Sequence, residues 1–121
     1  MMCIFCKKAF EIIDQSELVY VIYDGYPVSK GHTLIIPKRH VASFFDLTHE
    51  EHLAILNALN TQKSRLDELY HPDGYNIGVN DLLAAGQTIE HVHVHLIPRY
   101  IGDMIDPKGG VRGVIPSKQK Y

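Results

Sequence analysis

Hydrophobic residues along this chain follow two different periods. Leu18–Asp24 is rich in Val, Ile and Tyr, which predicts a strand. Ala9–Asp14 is short and apolar and Gln15-Ser16 supplies a turn, so the two segments predict a hairpin. Gly25, Pro27 and Gly31 punctuate a loop. Thr33–Ile36 then predicts a short buried strand that ends at Pro37. A helical period follows. Thr48 can cap the first turn, and Glu51 three residues on completes a capping-box pattern. Leu53, Leu56, Leu59, Leu66 and Leu69 keep roughly helical spacing, with Ile55 beside them, so these leucines predict the buried stripe. His71-Pro72-Asp73-Gly74 breaks the helix. Tyr75–Asn80 predicts a strand, Asp81–Gln87 a loop of small residues, and Thr88–Pro98 a last strand. The glycines and prolines beyond Gly102 predict an extended arm. About five strands, one long helix and short connections make an α+β arrangement with an antiparallel sheet.

The length of 121 residues allows one domain over 1–121, with 102–121 as the arm. The formal net charge of −2 gives no broad attraction to nucleic acid or to a membrane surface. No apolar run approaches a membrane span, and Met1-Met2-Cys3-Ile4-Phe5-Cys6 does not have the pattern of a signal peptide. The 2 cysteines cannot build a disulfide framework, which points to a reducing cytoplasm.

The chemistry concentrates near the last strand. His91, His93 and His95 alternate with Val92, Val94 and Leu96, and residues two apart on a strand share a face. Neutral imidazole can act as nucleophile, base or metal ligand. Just upstream, Gly86 allows close backbone approach, and Asn80, Gln87 and Thr88 offer uncharged groups suited to phosphate oxygens. The same polar residues could instead satisfy a turn. Cys3-x-x-Cys6 has three readings: a redox pair, two ordinary thiols, or half of a tetrahedral zinc site. A redox motif normally opens a helix after a strand, and only two residues precede Cys3. His49 and His52 fall in the first helical turns and His71 in a turn, where solvated side chains are expected.

His91-Val92-His93-Val94-His95-Leu96-Ile97 matches the pattern His-φ-His-φ-His-φ-φ, with φ apolar. On these residues the chain resembles the histidine triad (HIT) family of nucleotide hydrolases and transferases. The likeness extends to Asp24–Lys38, ending Gly31-His32-Thr33-Leu34-Ile35-Ile36-Pro37-Lys38, to Gly74–Asn80 and to Ala85-Gly86-Gln87-Thr88. Gly109–Pro116 is similar to the tails of prokaryotic members.

The resemblance implies a HIT-like fold, with about five antiparallel strands, one long helix and a short N-terminal segment. It implies that His93 attacks the α-phosphorus of a nucleotide ester, amide or anhydride, and that water hydrolyses the nucleotidyl-histidine product. His95 would donate to a non-bridging oxygen. Gln87 would hold the phosphate or the attacking water, Thr88 would contact the leaving group or relay a proton to it, and Asn80 would lie near the scissile phosphate. Asp24 matches a position that grips ribose hydroxyls. His32 would support the strand from behind, and Phe5 or Tyr23 would sandwich the base.

The resemblance also implies that His40 and His91 join Cys3 and Cys6 around zinc. Four protein ligands leave no open position, so that zinc would be structural, and no organic cofactor is implied. The substrate would be a purine nucleotide conjugate or dinucleotide: a dinucleoside polyphosphate, a nucleoside phosphoramidate or an aminoacyl adenylate. The Gln87-Thr88 pair resembles the branch that cleaves dinucleoside polyphosphates. A homodimer with a continuous sheet is implied, with the arm near the partner's site and Lys108 or Arg112 on distal phosphates.

Two rival readings stand beside this one. His-x-His on a strand is a common ligand pair, so the triad could hold a catalytic metal. That reading lacks an acidic partner near the motif and leaves Gln87-Thr88 without a role. The other rival is a nucleotide-binding protein with little turnover, because binding and catalysis use the same residues.

Overall fold

A computed structural model describes residues 3–121, so Met1-Met2 of the signal-peptide reading lies outside the described residues. Two α-helices, α1 (Ile4–Lys7) and α2 (His49–Tyr70), flank five strands: β1 (Asp14–Gln15), β2 (Val19–Tyr23), β3 (Thr33–Pro37), β4 (Gly74–Gly78) and β5 (Val94–Arg99). The strands form one antiparallel sheet in the order β1-β2-β3-β5-β4. Alternation along the strands builds two cores. Val19, Val21, Ile35, Val92 and Val94 face α2 with Ile55, whereas Tyr20, Ile22, Leu34 and Ile36 face the N-terminal segment with Phe5. Burial on both faces explains why β2 and β3 read as continuous apolar runs. Among the described residues, no helix is long and apolar enough to cross a membrane.

The capping box forms as expected. Thr48 Oγ1 accepts from Glu51 N, and Glu51 Oε1 accepts from Thr48 N. Glu51 is buried, and hydrogen bonds from Arg39 hold its carboxyl below the usual carboxylate range, against the effect of burial. At the other end His71 takes the left-handed conformation that closes α2.

The buried stripe of α2 is the expected one only in part: Leu66 is buried and Leu59 packs against the core. Leu53, Leu56 and Leu69 are exposed, and Glu51, Ile55, Gln62 and Leu66 face the sheet. Each residue turns a helix by about 100°, so polar Glu51 and Gln62 on the inner face displace the apolar pattern from the true one. Gln62 is fully buried and donates to Asp14 Oδ2 at 2.9 Å, tying the helix to the edge strand.

Other boundaries shift. Gln15 lies in β1, and the turn falls at Ser16–Leu18, where Ser16 N donates to Val19 O. β4 ends at Gly78 rather than Asn80, and β5 begins only at Val94. Ile35 pairs with Val94, so the register brings Pro37 opposite Val92. Proline has no N–H to continue the ladder, and the carbonyl of Pro37 is taken by the His91 ring. His91 and His93 therefore lie in the irregular chain that leads into the strand. The arm is coiled rather than extended, in two 3-10 turns, Gly110–Val114 and Pro116–Lys118. A Cβ on Gly109 would lie 1.8 Å from Gln119 O, and Gly109 has φ +90. Only glycine allows that fold-back.

Gly31 sits where the loop before β3 meets the end of α2. Its φ is +92, and a Cβ there would stand 2.9 Å from the Tyr70 ring and 3.0 Å from Leu66. The next residue is His32, so this contact sets where that ring begins. Gly31→Ala is expected to destabilise the fold by about 2 kcal/mol or more, from backbone strain and overpacking together. Urea unfolding measures it, and a loss below about 0.5 kcal/mol, the range of a neutral surface change, would show that the contact is not tight.

Candidate active site

Irregular chain and β5 carry the triad onto the sheet face opposite α2. The rings of His93 and His95 are 5.3 Å apart between centroids. His93 Nδ1 lies 2.9 Å from the carbonyl oxygen of His91. A carbonyl only accepts, so Nδ1 carries the proton and Nε2 keeps its lone pair.

His95 has the opposite polarity. The backbone N–H of Val28 donates to His32 Nδ1 at 3.1 Å, so His32 carries its proton on Nε2. That nitrogen lies 2.9 Å from His95 Nδ1, which accepts and leaves the His95 proton on Nε2. Asp24 flanks the relay, with Oδ2 at 3.3 Å from His32 Nε2 and 3.9 Å from His95 Nδ1. Its Oδ1 accepts from Tyr26 N at 2.8 Å. Burial pushes His95 down to about 4, helped by His93 and His32 and opposed by Asp24. Burial also lowers His32, again against Asp24. Both rings are therefore neutral near pH 7, which suits a relay of uncharged donors.

Asp24, His32 and His95 have the composition of a metal site. Their hydrogen bonds argue otherwise. A metal on His32 Nε2 would move the ring proton to Nδ1, where it would meet the N–H of Val28 head-on. This is the main physical objection to a catalytic metal on the active face.

His91 points elsewhere. It is fully buried, and its Nε2 donates to Pro37 O at 2.7 Å. Its Nδ1 is then a bare acceptor, 3.4 Å from Cys3 Sγ, 3.5 Å from Cys6 Sγ and 3.2 Å from His40 Nδ1. Cys6 Sγ is 3.2 Å from His40 Nδ1. A tetrahedral zinc with ordinary bond lengths has N···N edges of roughly 3.3 Å and S···N edges of roughly 3.6 Å. The four residues fit that ion, and Pro37 O supplies the outer hydrogen bond that orients a ligating imidazole.

The remaining expected residues divide. Asn80 and Thr88 are exposed, and neither is hydrogen-bonded to the triad. Gln87 is buried, its Nε2 donating to Ala42 O at 2.8 Å and its Oε1 accepting from Leu82 N at 2.7 Å. It clamps one loop to another and keeps a single spare N–H. Neither aromatic assigned to the base is free for it. Phe5 is 3% exposed, and Tyr23 lies on the α2 face, its hydroxyl accepting from Arg65. His52 is not merely solvated, since its Nε2 donates to Phe44 O at 2.9 Å. Lys108 and Arg112 lie over the Tyr121 ring, within the arm itself. Sequence reasoning missed the Val28–His32 bond, which no spacing announces, and Asp81, which accepts from Ser43 Oγ and Phe44 N.

Fold and site together define a histidine triad protein. Residues 7–102 match the HIT domain, and the chain belongs to that family. An uncharacterised HIT-like protein of Methanocaldococcus jannaschii is 38% identical over 107 residues, 84% of this chain and 82% of that protein. A bis(5'-adenosyl)-triphosphatase of Dictyostelium discoideum is 39% identical over 74% of this chain and 60% of its own length. A crystal structure of a Zn-bound histidine triad family protein from Mycobacterium smegmatis superimposes with a TM-score of 0.80 at 34% identity, covering 88% of this chain and 81% of that one.

The relay has a consequence for acid stability. Its two histidines have folded-state values below the ordinary 6.5, so the unfolded chain takes up these protons first as pH falls. Their contribution is fully present above about pH 6.5 and is lost as pH falls toward the value of about 4 for His95. The urea midpoint is expected to fall between pH 7 and pH 5, and to fall less in His95→Asn. Equal pH dependence in the two proteins would refute a neutral buried relay.

Proposed function

We propose that the chain is a hydrolase that cleaves nucleotide conjugates at the α-phosphate through a covalent intermediate on His93. The complementary polarity of the two rings carries this reading: Nε2 of His93 presents a lone pair, and Nε2 of His95 presents a proton. In the first step His93 Nε2 forms a bond to the α-phosphorus, and the bond to the leaving group breaks. His95 donates to a non-bridging oxygen as charge builds there. The leaving group departs with the bonding electron pair and takes a proton from solvent, with the Thr88 hydroxyl as the proposed relay. Water then attacks phosphorus, the bond from phosphorus to His93 Nε2 breaks with its electron pair returning to the ring, and the water's proton passes to solvent as the nucleotide leaves. One difficult displacement becomes two easier ones.

Asp24 accepts ribose hydroxyls with the lone pairs that Tyr26 N and His32 leave unused. Asn80 approaches the phosphate directly. Gln87 acts with its spare N–H and by holding the loop in place. Dinucleoside polyphosphates are the preferred substrate class, in keeping with the similarity to a protein named bis(5'-adenosyl)-triphosphatase.

Zinc on Cys3, Cys6, His40 and His91 would be structural, pinning the N-terminus to the triad segment. The resemblance to a Zn-bound relative supports this. The expected result is one zinc per chain by elemental analysis of protein purified without chelator. A folded, metal-free chain would overturn the assignment.

The chain is read as a homodimer through β4, the longer of the two edge strands, where Ile77 is exposed. One mass-spectrometric experiment addresses both readings. After mixing with diadenosine triphosphate, an acid-labile nucleotidyl adduct is expected on His93, on a native species of two chains. His93→Ala is expected to lose the adduct and at least about 1000-fold in turnover, within the effects seen for lost nucleophiles. Unchanged turnover would end the covalent mechanism, and a native monomer would end the dimer.

A further inference from the structure

Helix α1 is a single turn of 4 residues, far too short to persist by itself. Considerable structure is spent on holding it. Cys3 caps it, accepting from Cys6 N at 3.4 Å. Cys3 Sγ and Cys6 Sγ lie against His91 and His40. The buried hydroxyl of Tyr20 donates to the Phe5 carbonyl. Yet of residues 4–9 only Phe5 is buried. The turn delivers one side chain into the molecule.

That side chain meets the triad. The Phe5 ring lies 5.0 Å from the His93 ring at an interplanar angle of 58°. It is also 5.8 Å from the His91 ring at 79° and 5.8 Å from Phe10 at 45°. The hydrogen bond to His91 O fixes which His93 nitrogen points inward, but one bond leaves the plane of the ring free to rock about it. The ring contacts with Phe5 and His95 restrict that motion.

We propose that Phe5 is a positioning residue for the His93 imidazole, and that the Cys3–Cys6 turn exists to clamp it there. The cysteine cluster then acts on the site by two routes. His91 lends its carbonyl to Nδ1, and Phe5 sets the tilt of the ring. An aromatic that only filled the core could be replaced by any apolar side chain of similar volume. A positioning ring could not, because the tilted ring-on-ring contact with His93 depends on the ring itself. The kinetic part of this inference rests on His93 being the nucleophile. The positional part does not.

The test uses the full chain carrying Phe5→Leu, with Phe5→Met as a second volume-conserving variant and Cys6→Ser as a third. Three quantities are measured: zinc per chain, the long-range proton–nitrogen NMR signals of the histidine rings without substrate, and steady-state turnover of diadenosine triphosphate. Phe5→Leu and Phe5→Met are expected to stay folded and keep their zinc. Their His93 signals are expected to shift or broaden, and kcat to fall about 3- to 10-fold, the scale of one aromatic pair, with KM changed less than about 2-fold. Cys6→Ser is expected to lose zinc and show the same change at His93. His93 signals and kcat like those of the parent, in either folded Phe5 variant, would reduce Phe5 to a core residue. Should His93→Ala prove active, the nucleophile reading fails while the NMR signals still decide the positional part.

Discussion

One buried imidazole joins three parts of the chain. The His91 ring reaches Pro37 O through Nε2 and the N-terminal thiols and His40 through Nδ1, while its backbone carbonyl accepts a hydrogen bond from His93 Nδ1. The end of β3, helix α1 and the face that carries His93 thus share one residue. Burying an imidazole without partners would be costly. Here both nitrogens and the carbonyl are engaged, and removing any partner leaves a polar group stranded. The irregular stretch before β5 follows from this constraint, since Pro37 cannot extend the ladder and offers its carbonyl to the ring instead.

The active face depends on histidine rings held in opposite senses. A carbonyl leaves one ring its Nε2 lone pair, and a backbone amide, passed through His32, leaves the other its Nε2 proton. Each sense traces to a main-chain group that cannot change its role. The site is therefore preorganised by the backbone, with burial keeping His95 and His32 neutral. The loop that contributes Val28 is in turn seated by Gly31 against Tyr70, so the far end of α2 helps to decide a tautomer on the opposite side of the sheet.

The three histidines are accordingly unequal. His93 presents a lone pair, His95 a proton, and His91 faces inward as an anchor. Three equivalent rings on one face would instead suit a metal ligand set. The difference lies in what sits behind each ring, and those groups come from β3, the loop before it and the N-terminal turn.

Much of this was legible in the amino-acid order. The spacing of His91, His93 and His95, the Thr48–Glu51 cap, the strands around Leu18–Asp24 and Thr33–Pro37, and the family motifs all depend on residues close in sequence, where period and local hydrogen bonding suffice. The inner face of α2 was not legible, because Glu51 and Gln62 are buried by partners, Arg39 and Asp14, that are distant in sequence. Nor were the roles of Phe5 and Gln87, whose identities fit several uses. By itself the sequence showed the histidine pattern and the family it belongs to, but not that only His95 of the three lies within β5. Only the tertiary structure decided which nitrogen of each ring bears the proton and which way each ring faces, because those depend on contacts between groups up to 88 positions apart.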